Sequence, residues 1–226
     1  MLHDLINLFF PPYCLACRAV LAQSEQWLCT ACFSELPQTS YHLEVDNPVA
    51  QKLYGRVPTT YAMAFCTFRK GNKVQKLIHQ LKYDNKPTIG EVLGRRYGLN
   101  LSKRQWDSNF DWIVPVPLHA RKLRQRGYNQ SDYFAKGLSA SLAIPWHGQC
   151  LKRGKDTLTQ TRKSRIGRFQ DLADAFYIDD SRIIKGKHVL LVDDVITTGA
   201  TLEGCALSLL DGGAREISIA TIGVAE

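Results

Sequence analysis

At 226 residues, 45% apolar and 22% charged, the chain has a globular composition and room for one or two domains. That composition excludes a wholly disordered chain, and 16 glycines and 9 prolines exclude a fibrous one. The longest apolar runs, such as Val189-Leu190-Leu191-Val192, fall far short of the roughly 18 residues of a membrane span, and Met1 to Pro12 lacks the basic start and long apolar stretch of a signal peptide, so a cytoplasmic protein with no transmembrane segment is expected.

The net charge of +8 is spread unevenly. Residues 1–50 hold one Arg against five acids, whereas residues 51–118 hold twelve basic and four acidic side chains. Residues 119–168 hold twelve basic and two acidic, and residues 169–226 four basic and ten acidic. A basic middle between acidic ends suits phosphate ligands, nucleic acid or both, although a solvated basic face is the plainer alternative.

In chain order, the first feature is a cysteine quartet. Cys14, Cys17, Cys29 and Cys32 form two CxxC pairs eleven residues apart. An odd total of seven cysteines and no signal peptide argue against a disulfide framework. Four thiolates on two tight turns are the ligand set of a closed tetrahedral zinc site, which leaves no open position for catalysis. A redox-active pair is the competing reading. The first 46 residues hold few apolar groups, so the metal is expected to supply most of their folding energy. The polar stretch from Glu35 to Gln51 reads as a linker, and the chain divides into a zinc module and linker over 1–46 and a second domain over 47–226.

Tyr61 to Phe68 is rich in strand formers, and Arg69 to Asn72 reads as a turn. Val74, Leu77, Ile78 and Leu81 have helical spacing, and Leu93, Tyr97 and Leu101 mark a second helix. Trp112 to Val116 predicts a buried strand, and Leu118 to Arg126 a basic turn. Asn129 to Leu142 predicts a helix capped by Asn129, with Asp132 at the third helical position. Arg162 to Phe176 reads as a basic helical segment, Lys187 to Asp193 as an apolar strand ending in acids, Thr201 to Leu210 as a helix and Glu216 to Val224 as a last strand. Alternating strands and helices predict an α/β fold with a parallel sheet covered on both faces. Cys66, Cys150 and Cys205 are expected to be core residues.

The most informative run is Val189-Leu190-Leu191-Val192-Asp193-Asp194-Val195-Ile196-Thr197-Thr198-Gly199-Ala200-Thr201. A buried strand delivers two carboxylates where open α/β sheets bind ligands. The Thr- and Gly-containing loop that follows opens a helix whose amides can hold a phosphate. Carboxylates suit a sugar diol, so the pattern fits a sugar phosphate.

This run resembles the 5-phosphoribosyl 1-diphosphate (PRPP) motif of the type I phosphoribosyltransferases. Val114-Pro115-Val116-Pro117-Leu118, Arg121, Arg124 and Arg126-Gly127-Tyr128-Asn129-Gln130 narrow the match to the competence protein F and GntX-like family, which joins a cysteine zinc module to such a domain. The resemblance implies PRPP binding by Thr197, Thr198, Gly199, Ala200 and Thr201 with Arg121, Arg124 and Arg126, catalytic roles for Asp193 and Asp194, and magnesium bridging the diphosphate and the ribose. Asp171 stands where the family usually carries an Asn. At the cellular level the resemblance implies a protein assisting single-stranded DNA uptake in natural transformation, with competence-machinery partners such as a helicase. The alternative is an active phosphoribosyltransferase with an unknown nitrogen acceptor. Single-stranded DNA is expected along the basic stretch 119–168, which includes Lys152, Arg153, Lys155, Arg162, Lys163, Arg165 and Arg168. The aromatic supply for base stacking in the basic middle is thin, Tyr128, Tyr133, Phe134 and Phe169, so phosphate contacts are expected to dominate.

Overall fold

Alternation of side chains along two long apolar strands decides how the layers stack. In β5 (His188–Ile196), Val189 and Leu191 pack with one hydrophobic cluster and Leu190 and Val192 with another. In β6 (Glu216–Ala225), Ile217 and Ile219 oppose Ala220 and Ile222 in the same way. A strand with both faces apolar stays in a sheet only if both faces are covered. These strands belong to a four-stranded sheet of order β1-β6-β5-β2, in which every pair is parallel, with β1 at Ala62–Phe68 and β2 at Trp112–Pro115. The structure is a computed structural model and describes residues 10–103, 106–154 and 175–226.

One face carries three helices: α3 (Lys73–Tyr83), α4 (Thr88–Ser102) and α6 (Gln130–Leu142). The short α1 (Thr30–Ser34) and the rest of the cysteine module pack onto the same cluster through Leu15, Leu21, Leu28 and Leu36. The other face carries α2 (Pro48–Leu53), α7 (Ala200–Asp211) and a two-stranded antiparallel ribbon of β3 (Leu151–Arg153) and β4 (Phe176–Ile178). The expected covered parallel sheet is therefore present. Cys66, Cys150 and Cys205 are buried in it as expected. Asn129 caps α6 through its side chain, and Asp132 accepts from Asn129 Nδ2 at 2.9 Å.

Three expectations need correction. The stretch 35–51 is no free linker. Leu36 is buried, Thr39 N donates to Phe65 O at 2.9 Å, and Thr67 N donates to Pro37 O at 2.9 Å, so the segment runs beside β1. It then enters α2, where Asn47 caps the helix, Pro48 takes a first-turn position and Val49 and Leu53 are buried. Second, the basic turn after β2 contains a helix, α5 (Ala120–Arg126), begun by the His119 side chain accepting from Arg121 N and ended by Gly127 at φ +82°. Third, β5 continues through both acids to Ile196, because Val195 and Ile196 stay paired with Gly223 and Val224. Of the basic segment read as helical, residues 162–174 lie outside the described residues, and Phe176 begins β4.

Helices α4 and α6 approach so closely that side chains are excluded from their contact. A Cβ on Gly94 would lie 2.4 Å from Phe134 O, and one on Gly137 would lie 2.2 Å from Glu91 O. Gly137→Ala is expected to push the helices apart and lower the stability by roughly 2–4 kcal/mol, within the range of overpacked cores. A urea titration checks this, and an unchanged midpoint would contradict the account.

Candidate functional site

The chain leaves β2 for α5 and α6, with α6 on one face of the sheet, and leaves β5 for α7 on the other. Neighbouring strands whose connections diverge open a crevice at their carboxyl ends. A cavity of about 410 Å³ lies there, walled by Pro117 and Leu118 beyond β2 and by Asp193, Asp194 and Thr197 from β5. Its cations are Lys82 from α3, Lys122 from α5 and Arg153 from β3.

The two acids are held differently. Asp193 Oδ1 accepts from Ser131 Oγ and from the Asp194 backbone N–H, both at 2.8 Å. Burial, with the charge of Asp194 alongside, pushes the Asp193 carboxyl up to about 7. Part of its surface still faces the cavity, so it is enclosed by protein and open to a ligand. Asp194 is buried, and its Oδ2 lies 2.9 Å from Lys82 Nζ. A buried carboxylate needs such a partner, and Lys82 is the cation that meets it.

Residues Thr197 to Leu202 line a smaller cleft of about 50 Å³ with Asp193. Gly199, at φ +81°, turns the chain into α7 and has no side chain to cap it, and the Thr198 hydroxyl accepts from Ala200 N at 3.5 Å. The amides that follow are left for an anion. Glu203 in the first turn would repel one, but it is buried and paired with Arg56. Arg56 also donates to Thr198 O and to Lys52 O, the latter at 3.1 Å, so the segment after α2 braces the loop from behind. A Cβ on Gly199 would meet Leu53 Cδ2 at 3.1 Å.

The structure thus brings Asp193, Asp194 and Thr197–Thr201 together. It places Arg121 and Arg124 on the exposed surface of α5, with Lys122 between them turned to the cavity. Arg126 donates to Gln130 Oε1, and its guanidinium carbon lies 5.8 Å from the centre of the Tyr83 ring. Tyr128 and Phe134 are buried and unavailable for stacking. Lys155, Arg162, Lys163, Arg165, Arg168, Phe169 and Asp171 lie outside the described residues. Lys82, Ser131 and Arg56 were not among the candidates, Arg153 was expected only as part of the DNA-binding stretch, and Lys122 was not singled out from the basic turn. Lys122 sat in a basic run that carried too many cations to rank, and Lys82 follows an ordinary helical pattern that gives no sign of its partner 112 positions away.

The four sulfurs of Cys14, Cys17, Cys29 and Cys32 lie within 4.8 Å of one another, those of Cys17 and Cys29 being 3.7 Å apart. A tetrahedron of Zn–S bonds near 2.3 Å has edges of about 3.8 Å, so the quartet fits a structural zinc. Cys29 N donates to Cys14 Sγ and Cys32 N to Cys29 Sγ, both at 3.4 Å, which favours thiolates. Lys73 Nζ lies 3.3 Å from Cys32 Sγ and 2.5 Å from Glu35, offsetting part of the charge that four thiolates place on the metal.

Protein purified without added metal is expected to hold one zinc per chain, and Lys73→Met to lose it to a chelator roughly tenfold more readily. Elemental analysis and a chelator titration read both. A second expectation concerns pH. Because Asp193 holds its proton up to about 7 when folded and releases it near 4 when unfolded, it costs stability as pH rises between those values. The thermal midpoint of Asp193→Asn should therefore gain on the wild type from pH 4 to pH 7 and keep a constant lead above it. A lead that shrinks over that window would contradict the assignment.

The phosphoribosyl transferase domain model matches residues 131–223, and the double zinc ribbon domain model matches residues 5–43, a span with one cysteine quartet. No helix among the described residues is long and apolar enough to cross a membrane. The DNA utilization protein YhgH of Escherichia coli K12 is 30% identical over 224 residues, covering 92% of this chain and 95% of its own. Competence protein F of Haemophilus influenzae is 31% identical over 224 residues, covering 93% and 96%. The competence protein ComFC of Bacillus subtilis is 24% identical over 200 residues, covering 88% and 78%. With the cysteine quartet and the Asp-Asp-x-x-Thr-Thr-Gly-x-Thr strand and loop inside the matched spans, the chain belongs to the family of DNA utilization protein YhgH and competence protein F.

Proposed function

We propose that this protein handles single-stranded DNA during its uptake or use, in the cytoplasm, and that PRPP with magnesium binds in its cavity. The names of its relatives support the cellular role. One observation carries the ligand: carboxylates and cations share a cavity of about 410 Å³ beside the start of α7. A bare polyphosphate would offer Asp193 and Asp194 no hydroxyl to bind, and a neutral sugar would leave Lys122 and Arg153 without a counterpart. A phosphorylated sugar satisfies both.

In this reading the 5-phosphate sits on Thr197–Thr201, the ribose diol on the two aspartates, and the diphosphate against Lys122 and Arg153. Magnesium would be held chiefly by ligand oxygens near Asp193 and Asp194 and would offset the charge of the diphosphate. Arg121, Arg124 and Arg126 stand on the same helix as Lys122 and would add positive charge near the diphosphate. Residues 1–46 serve as the zinc module and linker, with Leu15 and Ala16 hydrogen-bonded to α3, and residues 47–226 form the ligand-binding domain.

Calorimetry with PRPP and magnesium is expected to show binding, weakened by about 1–3 kcal/mol in Asp193→Asn/Asp194→Asn. Unchanged affinity in that double variant would remove PRPP from the cavity. Pyrophosphate release with any member of a panel of nitrogenous bases would move the chain to the alternative reading, an active phosphoribosyltransferase.

A further inference from the structure

Helix α3 presents an outer face that no part of the site uses. His79 and Tyr83 stand one turn apart on it, with ring centres 4.9 Å apart, and Tyr83 is 69% exposed. The Arg126 guanidinium approaches one side of that ring. Beside His79 lies a groove of about 550 Å³, whose cations are Arg18 from the zinc module and Lys76 from α3. Arg18 also lines a second, larger groove of about 1030 Å³, together with Trp27, Tyr13 and Lys86. Arg18 lines both grooves, and Tyr83, which lines neither, stands on α3 between Lys76 and Lys86 in sequence, so cations and exposed rings are spread along a path from the zinc module to the end of α3.

Arg18 and Trp27 both hold a left-handed backbone at φ +67°, a conformation that costs a side-chain-bearing residue energy. Arg18 N donates to Cys14 O at 2.9 Å, so the turn of the cysteine knuckle imposes this geometry on Arg18. Two acids line the path. Glu25 is occupied by Thr30 and by the Ala22 backbone N–H, which hold its carboxyl below the usual range. Asp84, at the end of α3, is the acid left facing the groove.

We propose that a single strand of DNA follows this path, its bases stacking on Tyr83 and Trp27 and its phosphates meeting Arg18, Lys76 and Lys86. The inference rests on the DNA reading above and gives that strand a course that begins outside the stretch 119–168. Aromatic faces open to solvent and set between cations are what an unpaired strand requires, because every base has a π-face and every nucleotide a phosphate. An acidic peptide would use the cations and leave both rings idle. A duplex hides its base faces. From Tyr83 the path continues past Arg126 along α5 towards Lys122 at the cavity, so the strand and the small ligand would meet on that helix.

Fluorescence anisotropy with a labelled oligothymidylate at several salt concentrations tests the path. Tyr83→Ala is expected to weaken binding at least about fivefold without changing the salt dependence, and Tyr83→Phe to retain wild-type affinity. Arg18→Gln should lower the slope of log K against log salt by about 0.7, the loss of one phosphate contact. Asp84→Asn should tighten binding. Zinc content and circular dichroism confirm that each variant is folded. Folded Tyr83→Ala and Arg18→Gln proteins with wild-type affinity and slope would overturn the path and leave the DNA reading intact. No binding by the wild type at low salt would overturn both. Displacement of the oligonucleotide by polyglutamate as readily as by unlabelled strand would assign the face to an acidic protein instead.

Discussion

Two adjacent carboxylates at the end of a buried strand are the constraint around which the site is built. β5 carries Asp193 and Asp194 out of the most apolar part of the sheet, and two like charges so close cannot both remain ionised there without help. The protein resolves this unequally. Asp194 takes the Lys82 ammonium, whereas Asp193 takes only the Ser131 hydroxyl and a backbone N–H and is pushed towards its neutral form. The partners come from α3 and α6, the helices on the face opposite α7. Their positions in turn depend on α4, which Gly94 and Gly137 let settle against α6. A loosened helix pair would therefore be felt at the acids.

Helix α3 links the two chemical centres of the molecule. Lys73 at its start lies beside the Cys32 sulfur, and Lys82 near its end lies beside Asp194. Nine residues of helix separate them, about 14 Å. Between them Lys76 Nζ donates to Ala16 O at 2.5 Å and Gln80 Nε2 to Leu15 O at 2.8 Å. The zinc module is thus stitched along the same helix that neutralises the acid. A module too small to bury a core of its own gains one by sharing this cluster. Loss of the metal would release those bonds and loosen the support of Lys82.

Much of this was legible in the chain. Strand alternation in β5 and β6, the Asn129 cap, the cysteine spacing and the Asp-Asp and Thr-Thr-Gly run are local signals, and local signals survive without a fold. The stretch 35–51 misled because polar composition reads as linker, yet Asn47-Pro48 with apolar residues at 49 and 53 is a helix start by capping rules. The Arg-rich run before Gly127 likewise carried a helix-end signal. Lys82, Ser131, Arg56 and Arg153 reach the site from four separate elements, and no spacing rule joins them to residues 193–203. Only the strand order does.

That same strand order explains why basic charge collects in the middle of the sequence. Lys82, Lys122 and Arg153, the cations that line the cavity, all come from elements between β1 and β5, and Arg56, before β1, braces the loop from behind. The ribbon of β3 and β4 is the clearest case. Arg153 lines the cavity from its first strand, and Gly154 N donates to Ala175 O at 2.8 Å, which brings the two ends of the stretch 155–174 together beside it. That stretch carries Lys155, Arg162, Lys163, Arg165 and Arg168 in its sequence. Two acids follow directly after β4 and pair locally, Asp179 with Lys152 and Asp180 with Arg182, and neither lines the cavity that Arg153 reaches.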